Sequence, residues 1–179
     1  MNIESTITKW TKEELQQKAY DLGHAYEKNC AYCPQASIAA LMDVFQIKDD
    51  VLFRAAYGFH GGGGDRGIGT CGALCGGILI ISYFYGRQRF EFNFGRENRK
   101  ATHLSGMLVD EFKKEFDGIS CDDVQKKMFG RSFNNANEEE LKLFLEMGGH
   151  TEKCPKVVGR GAALAAGIIW DEINKLHKA

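Results

Sequence analysis

The stretch Cys71-Gly72-Ala73-Leu74-Cys75-Gly76-Gly77-Ile78-Leu79-Ile80-Ile81-Ser82-Tyr83-Phe84-Tyr85 decides the fold. It is hydrophobic on all sides and Gly86 stops it, which predicts a central helix from Cys71 to Tyr85 that the other helices surround. The apolar run from Ala73 to Tyr85 covers 13 residues, whereas a membrane span needs ~20. A buried core helix is therefore expected, with no membrane span. Before it, Thr11-Lys12-Glu13-Glu14 has the form of a capping box, followed by Leu15, Ala19, Leu22 and Tyr26 at helical spacing. A second helix is predicted from Pro34, with Ile38, Leu41, Met42 and Phe45 on one face, and a short third from Asp50 to Tyr57. After it, Arg87 to Asn98 alternates Phe90, Phe92 and Phe94 with polar residues, which predicts a connector with short extended character over 87–95. Helices resume from Lys100 to Phe116, after the Ser120 cap, after the Asn137 cap, and from Pro155. No repeat, linker or composition break appears, so 1–179 reads as one all-α domain, a helical bundle.

Composition narrows the function classes. With 44% hydrophobic residues and a net charge of -1, general disorder is excluded. The near-neutral balance and the pI of about 6.5 argue against nucleic acid or an anionic membrane as the main partner. Met1 to Thr6 has neither a basic nor an apolar leader region, and a cytoplasmic location is expected. There, cysteines more often signal metal or redox chemistry than structural disulfides.

The six cysteines fall in a pattern. Cys33 precedes Pro34, Cys154 precedes Pro155, Cys71 opens the apolar helix and Cys121 follows the Ser120 cap. All four sit at predicted helix N-termini, where free amides and the helix dipole favour thiolate. Lowered thiol pKa values are expected there. Cys30 and Cys33 form a C-x-x-C, and Cys71 and Cys75 are one helical turn apart. These four are candidate redox thiols. Three readings stay open: a metal or iron–sulfur centre, a metal-free dithiol/disulfide oxidoreductase, and a helical module with structural zinc or inert cysteines.

The pattern resembles the bacterial and archaeal redox-active proteins of the C_GCAxxG_C_C family, named for four cysteines. The matching core is Cys71-Gly72-Ala73-Leu74-Cys75-Gly76, a CGAxxG, followed by an apolar helix that ends in Tyr85-Gly86. The first cysteine corresponds to Cys33 in Cys33-Pro34-Gln35-Ala36, the third to Cys121 and the fourth to Cys154. The resemblance covers about residues 25–175. It implies a small helical protein of redox or electron-transfer function, distantly like the non-haem domain of split-Soret cytochromes, where an iron–sulfur centre accompanies haem. On this reading Cys33, Cys71, Cys121 and Cys154 ligate an iron–sulfur cluster or other metal centre, and Gly69 and Gly72 let backbone approach it. A redox partner protein is implied without being identified, and a homo-oligomer stays open. No C-x-x-C-H exists, so covalent haem is not implied.

Gly67-Ile68-Gly69-Thr70-Cys71-Gly72 matches G-x-G-x-x-G, with Glu91 about 20 residues on. No strand precedes it and no βαβ unit follows, so no nucleotide is expected. The glycine-rich loop either brings amides to an anionic ligand or serves as a tight crossover. His60 and His150 read as surface histidines before they read as ligands or proton donors. Asp65 and Arg66 in the loop are candidates to line a site, which the sequence does not fix.

Overall fold

Thr11 and Glu14 cap each other's backbone reciprocally, as their spacing dictates, and open the first helix. The computed structural model describes residues 7, 9–92 and 99–176. Among these residues eight α-helices and no strand occur: α1 Lys12–Cys30, α2 Cys33–Phe45, α3 Asp50–Ala55, α4 Gly72–Tyr85, α5 Arg99–Phe116, α6 Cys121–Phe129, α7 Glu138–Glu146 and α8 Cys154–Leu176. The protein is an all-α bundle. Among the described residues no helix is long and apolar enough to cross a membrane.

Helices α1 and α8 form the longest interface and run antiparallel. Lys12 at the start of α1 meets Asp171 near the end of α8, and the end of α1 reaches the turn that precedes Cys154. They approach closely because small residues line the crossing: a side chain on Gly23 would sit 3.1 Å from the Val158 carbonyl, and one on Gly159 would meet Tyr20. Helix α4 packs against α2, α5 and α8. Its first two turns are buried, but Tyr83 is 45% exposed. The central position is therefore shared with α8, which touches α1, α2, α4 and α5. The physical reason is side-chain size. Gly72, Gly76 and Gly77 draw the start of α4 against α2 and α8, while the aromatic residues at its other end spread at the rim.

The expected extended connector is corrected for its described part. Arg89–Glu91 is a 3₁₀ turn held by reciprocal Gln88 and Glu91 capping, and Arg87 and Arg89 lie over the Phe92 ring. Among the described residues no strand runs alongside, and the Phe90 and Phe92 side chains are exposed. Residues 93–95 of that expectation, Phe94 included, lie outside the described residues.

Candidate functional site

The site is built where four helix beginnings face a glycine loop. Thr70 and Ser120 form an isolated antiparallel bridge, in which the Cys71 amide donates to Ile119 O and the Cys121 amide to Gly69 O. This pairing sets Cys71 and Cys121 side by side, although 50 positions separate them. Cys33 enters from α2. The space a side chain on Gly72 would need is taken by Cys33 Sγ at 2.4 Å and Pro34 Cδ at 2.6 Å. Cys154 enters from α8, and its charge, if ionised, would act on Cys33, Cys71 and Cys121 together. The four thiols form one electrostatically coupled group.

The loop from Gly58 to Thr70 wraps this group. Five consecutive residues, Gly61 to Asp65, take positive φ, a run open only to glycine and occasionally to Asp or Asn. The coil brings the Gly61 amide to Cys33, and Gly62 so close to Cys121 that a side chain there would fall 2.8 Å from its Cβ. Gly69 donates to Gly62 O at 2.9 Å, and its own missing side chain leaves room for that carbonyl. Gly69 and Gly72 thus act as gaps for backbone and for a thiol, and the loop is at least a packing crossover.

Thiol chemistry departs from expectation in one respect. Burial pushes Cys33, Cys71 and Cys154 well above the ordinary thiol value, and Cys121 up to about 12. Cys33, Cys121 and Cys154 keep some surface, yet desolvation is the largest influence on each thiol. The Ala73 and Leu74 amides favour the Cys71 thiolate without making a regular cap hydrogen bond, and they offset only part of the burial. Desolvation and mutual repulsion among four thiolates outweigh a helix end. At Cys154 the helix end is not free at all. A π-helical turn, Gly149–Lys153, runs directly into α8, and the Cys154 amide already donates to Gly149 O.

The remaining two cysteines separate from this group in different ways. Cys30 ends α1 and is exposed, while Cys33 starts α2 after Ala31 and Tyr32, both at positive φ. The C-x-x-C therefore turns a corner with one thiol out and one in. Cys75 is buried and donates to the Thr70 carbonyl at 3.7 Å, and burial raises its pKa to about 11.

These shifts predict reactivity and pH response. In the reduced, metal-free protein at neutral pH, iodoacetamide is expected to modify Cys30 first, and the other five at full rate only after unfolding. Mass spectrometry of the alkylated protein checks this; rapid native labelling of Cys71 would overturn it. Because folding raises these thiol pKa values, the stabilisation is complete below the unfolded value of about 8.5 and is lost as pH climbs toward the folded ones. Thermal melts of that form should fall in midpoint above about pH 8.5.

Both histidines are corrected from surface to site. His60 Nδ1 lies 3.9 Å from Cys33 Sγ, its Nε2 is 3.3 Å from Asp65 Oδ1, and its ring stacks 6.2 Å from that of His150. Burial holds His60 below its ordinary pKa despite the Asp65 charge. Arg66 is exposed. Glu27 was not singled out from the sequence. It is 0% exposed, and one of its oxygens pairs with His150 Nδ1 at 2.7 Å. The available signal was register: Leu15, Ala19, Gly23 and Glu27 follow at four-residue intervals along the buried face of α1. Among the described residues, no group of three or more His, Cys, Asp or Glu side chains is placed to hold a metal ion.

A family model described as "Putative redox-active protein (C_GCAxxG_C_C)" matches residues 31–168. No curated protein and no solved structure matches the chain.

Proposed function

This chain belongs to the C_GCAxxG_C_C family of redox-active proteins, and from that premise we propose that it transfers electrons through an iron–sulfur or related metal centre on Cys33, Cys71, Cys121 and Cys154. The observation that carries the reading is the gathering of four thiols, Cys71 buried and three partly exposed, from four separate segments into one coupled group. The donor set is of the kind that iron–sulfur clusters use. A cluster spreads four thiolate ligands over more than one iron, whereas a tetrahedral zinc site needs its sulfurs ~2.3 Å from one metal. High pKa values at Cys71 and Cys75 count against the dithiol alternative for that pair, because thiolate is the attacking form in disulfide exchange. Metal binding instead displaces the protons.

When bound, such a centre supplies a one-electron couple. The protein contributes the four ligands and a wall of helix and glycine loop that limits water. Amides of Gly61, Ala73 and Leu74 lie beside Cys33 and Cys71, and donors of this kind stabilise a negatively charged cluster and raise its potential. Anaerobic purification with an absorption spectrum, iron and acid-labile sulfide is the test. Broad visible bands with iron and sulfide are expected. Stoichiometric zinc, or a colourless protein whose buried thiols cycle to a disulfide, would refute the reading.

A further inference from the structure

Aromatic rings stand in series between the surface and the thiol group. Tyr57 and Tyr32 stack at 5.0 Å, Tyr32 meets His60 at 4.5 Å, and His60 stacks on His150 at 6.2 Å. Exposure falls inward along the series, from 52% at Tyr57 and 39% at Tyr32 to the half-buried His60 and His150. His60 Nδ1 lies 3.9 Å from Cys33 Sγ, so the series passes beside a ligand of the proposed centre. Two features set its outer end apart from ordinary surface aromatics. Tyr32 holds a left-handed backbone, φ 61° and ψ 69°, which a bulky side chain adopts only at a cost in strain. In that conformation its ring sits between Tyr57 and His60. Tyr57 has one ring neighbour among the described residues, so its other face is open. Phe59, on the same 3₁₀ turn and 44% exposed, adds apolar surface there.

What continues a stack of rings is another flat ring, because offset stacking and the removal of apolar area from water both favour it. A flavin is a planar ring of this kind that also carries single electrons. Resting on the centre proposed above, we infer that the open face of Tyr57 docks a reduced flavin ring and that Tyr57, Tyr32 and His60 are the route by which its electron reaches the centre at Cys33. The flavin is oxidised by one electron, the centre is reduced by one, and the proton the flavin releases goes to solvent. No bond forms or breaks at the centre, and the tyrosine and histidine rings keep one oxidation state. Flavin free in solution and flavin at the surface of a carrier protein present the same ring. Tyr57 is the docking residue, and Tyr32 is a positioning residue behind it.

The first test is calorimetric titration of the purified full chain with flavin mononucleotide and, separately, with a flavodoxin. Wild type, Tyr57→Ser and Tyr83→Ser are compared, with far-UV circular dichroism to confirm the fold. Tyr83 is 45% exposed but lies near the far end of α4 from Cys71. Binding is expected to weaken about tenfold in Tyr57→Ser through the lost stacking and to be unchanged in Tyr83→Ser. Binding of flavin mononucleotide identifies the free ring as occupant, and binding of the flavodoxin alone identifies the protein-borne one. Binding of neither, or equal binding by Tyr57→Ser, overturns the docking site. In the second test the anaerobically iron-loaded chain is mixed with the same carrier, reduced, in a stopped-flow instrument. At subsaturating carrier, reduction should slow about tenfold in Tyr57→Ser, following affinity. Tyr32→Leu should lose most of the rate even at saturating carrier, with wild-type iron per chain and a wild-type electron paramagnetic resonance spectrum, and Tyr32→Phe should restore it. A wild-type rate in Tyr32→Leu overturns the route; should that variant fail to fold, a wild-type rate in Tyr57→Ser does so. A wild type that binds the ring but takes up no iron overturns the centre and the route and leaves the docking site standing.

Discussion

Cys71→Ser is expected to empty the thiol site, whereas Cys75→Ser leaves it largely intact. Cys71 caps α4 and is 5% exposed, and the Thr70–Ser120 bridge holds it against Cys121. A serine oxygen there can accept from the Ala73 and Leu74 amides as a helix cap, so the fold is kept, but it is a poor substitute for thiolate toward iron. Cys75 lies one turn further along the same helix, with its thiol on the Thr70 carbonyl. A serine hydroxyl can keep that bond, so the change should cost about 1 kcal/mol. Iron per chain after anaerobic purification should drop about tenfold or more in Cys71→Ser and by less than about twofold in Cys75→Ser, given that ~1 kcal/mol cost. Equal retention in both variants would remove Cys71 from the ligand set. Loss in Cys75→Ser alone would mean that the other end of the pair is the ligand.

Gly72→Ala is expected to destabilise the fold as well as the site. Its methyl would fall 2.4 Å from Cys33 Sγ, 2.6 Å from Pro34 Cδ and 2.9 Å from Pro34 N. The proline is rigid and starts α2, so the helix itself must shift. Overpacking of this kind costs about 3 kcal/mol, which for a chain of this size lowers the melting midpoint by about 6–12 °C. Gly106→Ala is the control. Gly106 is exposed within α5 and has nothing within 4 Å of a built side chain, so alanine there should stabilise by up to about 1 kcal/mol. A Gly72→Ala protein that melts with the wild type and still holds iron would show that the α2–α4 contact is softer than its distances imply.

Helix existence and most helix ends were legible in the sequence because their causes are local. The Thr11 box, the Ser120 and Asn137 caps and the apolar run closed by Gly86 each act within about one turn, and all form where the residues predict. The start of α8 was legible only in part: a π turn precedes Cys154, and no proline or cap residue announces it. Cysteine positions at helix beginnings were likewise readable, and the resemblance placed the same four residues in one set. What the sequence could not determine was their environment. Dipole reasoning considers one helix at a time and predicts lowered pKa values, but packing puts four thiols together away from water, and desolvation acts in the opposite direction. Glu27 and the two histidines show the same division. Along the chain Glu27, His60 and His150 are ordinary polar residues on unrelated segments. Only the antiparallel seating of α1 on α8, with the glycine coil across the end, buries Glu27, sets it on His150 and places His60 beside Cys33. Burial and charge proximity depend on residues far away in sequence, so tertiary structure alone decides them.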